Sequence, residues 1–317
     1  MNDSTFVFYI IFNLFFAVII SPFFMSLIKK VKAYCQGRKG PQLFQTYYNL
    51  MKLMKKEVVY SSTSSNIMRI TPYINIVVIL LSSICVPLVF IPQSSGSGFG
   101  NIILFLYLLA LAKFFMALSG LDAGSTFGSM GSSREMTISA VFEPVIIIVF
   151  AALAFVMNTA DIYRMFTNSV NSSMPFLNPI KFLNSISLFI ILIVETSRCP
   201  VDNPETHLEL TMIHEAMLLE NTGKNLALME LSHAIKQTLL MALLINLIIP
   251  YGLITTLTFT GVILGAFSFF VKASIVSVIV GVLESSIAKS RLFRLPILFM
   301  MVFFFSFLTI LFEVFLK

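Results

Sequence analysis

Residues 236–284 read KQTLLMALLINLIIPYGLITTLTFTGVILGAFSFFVKASIVSVIVGVLE, and the way this run is cut decides the fold. As one helix rising 1.5 Å per residue it would be about 73 Å long, more than twice the ~30 Å hydrocarbon core of a bilayer. Two crossings fit instead. Pro250 and Gly252 supply the break, and the Thr-rich stretch after them supplies the turn. Each crossing is expected to be helical, because a bilayer core leaves an open backbone no other way to satisfy its polar groups.

The same reading extends outward from this run. Apolar stretches of spanning length lie at 5–28, 71–92, 101–121, 137–157, 180–197, 236–254, 258–284 and 296–316. The expectation is an all-α polytopic bundle of about eight transmembrane helices, forming a single integral-membrane domain over residues 1–317. Composition agrees: 57% of residues are hydrophobic and 11% charged, whereas soluble domains carry about 25% charged residues. There are 33 Phe and no Trp, so Tyr and basic side chains must serve the interfacial belt.

Charge placement orients the bundle. With the N-terminus outside, the loops at 29–70, 122–136, 198–236 and 285–295 fall in the cytoplasm. They hold 16 of the 21 Lys and Arg residues, while the outward segments hold Arg164, Lys181 and Lys317. That asymmetry follows the positive-inside rule and puts both termini outside a cytoplasmic membrane. The first span is preceded by no basic residue and followed by Lys29, Lys30 and Lys32, the reverse of a cleavable signal, so it reads as retained. Within the first inner loop, Leu43, Tyr47, Leu50, Met51 and Met54 recur at three- and four-residue steps among Lys52, Lys55 and Lys56. The spacing predicts an amphipathic helix at the membrane surface or under the bundle.

Ionisable side chains at lipid depth mark functional pathways by default. Here they are Lys113, Glu143, Glu195, Lys272 and Glu284. Glu143 precedes Pro144 in the first turns of its expected span, where freed backbone groups would hydrate a carboxyl able to exchange protons. A static pair with Lys113 or Arg134 is the other reading. Seven acids then crowd residues 195–230: Glu195, Asp202, Glu205, Glu209, Glu215, Glu220 and Glu230. Glu195 and Arg198, three apart, would pair on a helix, and Glu205 and Glu209, four apart, would repel. Acids that interact titrate as a group, which suits sequential proton handling. A solvated acidic helix is the alternative.

Other motifs are incomplete. His214–Glu215 lacks the second His of a zincin, since position 218 is Leu, and the glycines at 124, 128 and 131 lack the Lys of a phosphate loop. Cys35, Cys85 and Cys199 are widely separated, with no C-x-x-C, and cannot supply a four-cysteine cluster. No metal site or nucleophile–base pair is read from the chain, and any redox centre belongs on another subunit.

Three segments resemble a known family. Gly37-Arg38-Lys39-Gly40-Pro41 through Lys56-Glu57 is similar to the first inner loop of complex I subunit 1 and its hydrogenase relatives. Ala110 to Lys113, Gly120-Leu-Asp122, Gly128 to Gly131, Ser133-Arg134-Glu135-Met136 and Glu143-Pro144 resemble the hydrogenase branch. Residues 195–217, ETSRCPVDNPETHLELTMIHEAM, are similar to the family of formate hydrogenlyase subunit 4 and hydrogenase-4 component C.

That resemblance implies a membrane subunit of an energy-converting hydrogenase. Its expected partners are hydrogenase large and small subunits, an iron–sulfur subunit, antiporter-like membrane subunits and the lipid bilayer, with no nucleic acid. The nickel–iron centre and iron–sulfur clusters would lie on those partners and no cofactor on this chain. Carried over by motif, Glu143, Glu195, Arg198, Asp202, Glu205, Glu209 and Glu215 form the ion pathway. Arg38, Lys39, Glu57, Asp122, Arg134 and Glu135 shape the docking surface and cavity.

The chain departs from complex I members in its short first inner loop and in His207, where an acid is frequent; both favour the hydrogenase branch. Thr46 stands where both branches usually carry proline, which would loosen the turn. A quinone-site subunit of a respiratory dehydrogenase and a freestanding cation transporter are the alternatives.

Overall fold

A computed structural model describes residues 3–61, 63–92, 98–171, 179–202, 212–255 and 258–316. Helix α1 (Asp3–Cys35) is 33 residues long, about 50 Å at 1.5 Å per residue. Its last turns therefore project beyond a ~30 Å core and lead to the short α2 (Gln45–Met54). Then come α3 (Asn66–Cys85), α4 (Ile102–Asp122), α5 (Thr126–Met157), α6 (Ile162–Asn171) and α7 (Pro179–Glu195). The short α8 (His214–Leu218) precedes α9 (Gly223–Ile248), α10 (Phe259–Ser286) and α11 (Leu295–Leu316). The protein is a multi-pass membrane helix bundle. Among the described residues seven helices are long and apolar enough to cross a bilayer, and α7, with 17 residues, sits at the lower end of the ~17–25 needed.

Helix α9 is the axis. It packs against α1, α2, α3, α7 and α10, and Leu239, Met241 and Ala242 are wholly buried on it. By contrast α1, α10 and α11 turn rows of large apolar side chains outward, among them Phe15, Ile19, Phe267, Ile275, Met300 and Phe304. Such rows fit lipid or neighbouring apolar helices as solvent.

The expected break is present. Helix α9 stops at Ile248, Gly252 takes φ +85°, and α10 begins at Phe259. The run 71–92 is helical only to Cys85. Residues 86–92 leave the helix through bends and bond the segment after α9: Ile91 N–H donates to Ile254 O at 2.9 Å, and Ile254 N–H to Val89 O at 3.1 Å. Asn246 Nδ2 donates to Pro87 O at 2.9 Å, and Lys272 Nζ to Ile249 O and Tyr251 O at 3.0 and 2.7 Å. Irregular backbone inside a membrane survives where protein groups satisfy it in this way.

Two further boundaries differ from the sequence reading. Helix α5 starts at Thr126, not 137, and α9 at Gly223, not 236. Arg134, Glu135 and Lys236 are therefore helical residues rather than loop residues, and Glu143 lies mid-helix rather than in first turns. Ser125 caps α5 by accepting from Gly128 N–H, and the bare glycine backbones let α5 approach its neighbours: a Cβ on Gly131 would stand 2.8 Å from Ala216 Cβ. Helix α6 was not anticipated. Thr46 does not loosen its turn: its N–H donates to Ser26 Oγ at 3.2 Å and its hydroxyl meets the same oxygen at 2.6 Å, tying α2 to α1.

Candidate functional site

Helix α7 ends at Glu195 through an αL residue. Ser197 has φ +48°, its N–H donates to Val194 O, and Arg198 N–H donates to Ile193 O, both at 3.0 Å. This is the Schellman closure, made here on a serine rather than the usual glycine. It swings the chain away from the helix axis, so the expected Glu195–Arg198 pair does not form. Glu195 instead takes Lys113 of α4 on Oε1 and Lys236 of α9 on Oε2, each at 2.7 Å. Its side chain is almost wholly buried, and Lys113 also stands 3.9 Å from Glu143 of α5. Four spanning helices thus meet through four charges. A buried carboxylate is tolerable on these terms, paired at both oxygens.

Arg198 belongs to a second cluster. It is buried, with one guanidinium nitrogen 3.0 Å from Glu284 Oε1 on α10 and the other 2.7 Å from Gln237 Oε1 on α9. Lys32 of α1 approaches Glu284 Oε2 at 3.6 Å. Asp202 makes a third junction. Lys289 reaches its Oδ1 at 2.6 Å, while Oδ2 accepts the backbone N–H groups of Ile213 and His214 at 3.0 and 3.1 Å. The loop is thereby fastened to the start of α8.

Of the residues expected in the pathway, Glu143, Glu195, Arg198, Asp202 and Glu215 are described, and Glu205 and Glu209 lie outside the described residues, as does His207. Burial pushes the Glu215 carboxyl up to about 7; Glu230 beside it adds to the rise, Lys29 opposes it, Asp202 adds a little and Arg198 takes a little back. Among the expected docking residues, Arg38, Lys39 and Glu57 are exposed at the end that carries α2. Arg134 is turned inward and donates to Met212 O at 3.2 Å. Asp122 is tied to α3: its carboxylate accepts Ser65 N–H and Met68 N–H at 3.0 Å and the Ser65 hydroxyl at 2.6 Å. It caps the orphan donors at the start of α3.

Glu135 lines two small polar cavities, of about 30 and about 10 Å³, on either side of Glu195. Lys113, Glu195 and Ser197 border both. A volume of ~10–15 Å³ on this measure admits a water molecule given polar partners, so the site can hold water against its charges. A larger apolar cleft of about 310 Å³ opens between α4 and α5 and ends on Lys113, Glu143 and Glu195.

The sequence offered Lys113 as a partner of Glu143, which stands 3.9 Å from it, but not the partners of Glu195, Glu284 and Asp202. Lys236 falls at the end of a polar loop in the sequence, and Lys32, Gln237 and Lys289 carry no motif. The signal was present: Lys236 and Gln237 open the apolar run 236–284, at the place where a spanning helix would have to bury them. Among the described residues no group of three or more His, Cys, Asp or Glu side chains is arranged to hold a metal ion.

The comparisons agree with this architecture. The family model described as NADH dehydrogenase matches residues 7–314. Hydrogenase-4 component C of Escherichia coli (strain K12) is 31% identical over 286 residues, 89% of each chain. Formate hydrogenlyase subunit 4 of the same organism is 28% identical over 278 residues, 86% of this chain and 87% of the relative. Among solved structures, a chain of the membrane-bound sulfane sulfur reductase, an archaeal respiratory membrane complex, superposes with a TM-score of 0.83 at 16% identity, over 98% of this chain and 99% of that one. That last likeness concerns the fold alone.

Proposed function

The chain belongs to the NADH dehydrogenase family, and on that premise we propose that it is the membrane-anchoring, ion-coupling subunit of a membrane-bound nickel–iron hydrogenase complex. The observation that carries the coupling role is Glu195, a buried carboxylate clamped by two lysines between two water-sized cavities. Relatives whose names place them in hydrogenase-4 and formate hydrogenlyase match nearly end to end and support the hydrogenase setting.

In this reading the end bearing α2, with Arg38, Lys39, Lys52, Lys55, Lys56 and Glu57, faces the cytoplasm and docks the hydrogenase large and small subunits and an iron–sulfur subunit. Those partners carry the nickel–iron and iron–sulfur centres. Both termini lie outside the cell membrane, and antiporter-like subunits pack alongside.

Coupling follows from charge compensation. The first inner loop is tied to α9, because Val59 N–H donates to Thr222 Oγ1 at 2.9 Å and Thr222 Oγ1 donates back to Val59 O at 3.0 Å. Helix α9 also carries Lys236 and Gln237. A redox-driven shift of the docked module therefore pulls on the helix that holds one of the two counter-ions of Glu195. Leaving a buried charge without its partner costs about 3–5 kcal/mol, and a proton is the replacement at hand. Glu143, Arg198, Asp202 and Glu215, together with Glu205 and Glu209, complete the pathway in this proposal.

The test is affinity purification through a tag on this chain in mild detergent, with nickel content and hydrogen evolution assayed on what co-purifies. Nickel and hydrogen evolution are the expected result; quinone-reducing partners without nickel would overturn the hydrogenase assignment. Glu195→Gln should assemble and lose proton-linked turnover, and full coupled activity in that variant would overturn the coupling role.

A further inference from the structure

His214 and His233 come from separate segments, the first opening α8 and the second on α9, yet their rings meet at a tilt of 49° with centroids 4.5 Å apart. Each is adjacent to an acid. Glu215 follows His214 directly, and Glu230 lies three residues before His233, on the same face of α9. The ring contact joins the segments that carry the two acids, and Glu230 is the principal neighbouring charge acting on Glu215. On the other side, both rings line the cavity of about 30 Å³ that reaches Glu195, Lys113, Lys236 and Glu135. The rings therefore stand between an acid pair near the loop surface and the buried carboxylate.

We propose that His214 and His233 form a proton relay joining the Glu215–Glu230 pair to Glu195, an assignment that rests on the ion-coupling reading above. A neutral imidazole is the side chain for this work, since one nitrogen donates while the other accepts. A proton arrives on the accepting nitrogen, another leaves from the donating one, and the ring ends neutral as it began; the return of the tautomer resets it. Among the described residues no hydrogen bond is made to either ring, and both rings border a cavity large enough for water. The charged groups around the pair are Lys29, Lys113, Glu135, Glu195, Arg198, Asp202, Glu215, Glu230 and Lys236. Burial first, and then Lys236, push His214 down to about 4, with Asp202 opposing and Arg198 adding slightly, so its ring is neutral at physiological pH.

The experiment uses the intact complex in sealed vesicles, with proton translocation read alongside hydrogen evolution. His233→Ala should lower translocation at least tenfold, and added imidazole should restore it. 1-Methylimidazole, which fills the same space but lacks the second exchangeable nitrogen, should not. Equal rescue by both compounds would make the histidine a packing residue and overturn the relay. Should the alanine variant fail to assemble, His214→Gln and His233→Gln keep the side-chain volume and decide the matter: full coupling in either overturns the proposal. Glu195→Gln in the same vesicles separates the two readings. If it leaves coupling intact, the ion-coupling role itself fails. If it abolishes coupling while the histidine variants retain it, only the relay fails.

Discussion

Each oxygen of Glu195 meets a lysine from a different helix, so the charge of one side chain and the spacing of α4, α7 and α9 depend on one another. Glu215 shows the same dependence where it can be read by pH. Its carboxyl is pushed up from 4.5 to about 7 in the folded protein, so the folded state holds its proton more tightly than the unfolded chain does. The stability this confers is present in full below about 4.5 and is lost as pH rises through about 7. Thermal unfolding of the detergent-solubilised protein between pH 5 and 8 should show that loss, and Glu215→Gln should remove this component of it. At this scale the sequence showed the acids but not their partners. Glu195 and Glu284 stood out as ionisable groups in apolar runs. Which cation each would meet depended on a turn at Ser197 that no glycine announced, because a serine holds the φ of +48° there.

Among the elements, the join between the first inner loop and α9 turns on Gly223. Its φ is +53°, and a Cβ there would collide with the backbone carbonyl of Glu57. Gly223→Ala should therefore cost about 1–2 kcal/mol for the left-handed backbone alone, and more for the displaced loop. The expected outcome is an assembled complex with hydrogen evolution weakened or detached from proton translocation; unchanged coupling and unchanged thermal stability would show that the loop is not tied to α9 as described. The elements were legible wherever hydropathy alone defines them. The starts of α5 and α9 were not, because Ser132, Ser133, Arg134 and Glu135 in one, and Glu230, Ser232, His233 and Lys236 in the other, read as polar loop. Tertiary contacts satisfy several of them, as Lys236 meets Glu195 and Arg134 donates to Met212 O, and both stretches are helical. The departure of 86–92 from helix was hidden for the opposite reason: its residues are as apolar as a span, and what holds them outside a helix is their bonding to Ile254, distant in sequence.

For the whole molecule, three cysteines give a topological check. Cys35 is exposed at the end bearing α2, while Cys85 and Cys199 are buried. In membranes stripped of soluble partners, a membrane-impermeant maleimide should label Cys35 in inverted vesicles and not in intact cells, and the other two should react only after unfolding. Labelling from outside would reverse the proposed orientation. The helical bundle and seven of its eight expected spans were legible from hydropathy alone, since the bilayer imposes length; the eighth, α7, has only 17 residues. The family resemblance located the acidic segment after α7, but residues 203–211, which include Glu205 and Glu209, lie outside the described structure.

The seam at the opposite end gives this distribution a further meaning. There the segments 86–92 and 249–255 bond backbone to backbone, and the Lys272 ammonium rests on the carbonyls at the end of α9. On the proposed ion-coupling role, a charge admitted at the basic end would meet this closed seam ahead of it, while the cleft between α4 and α5 reaches Lys113 and Glu143. The molecule would then be a one-port element, drawing charge from one side and delivering it only to a neighbour seated against its flank.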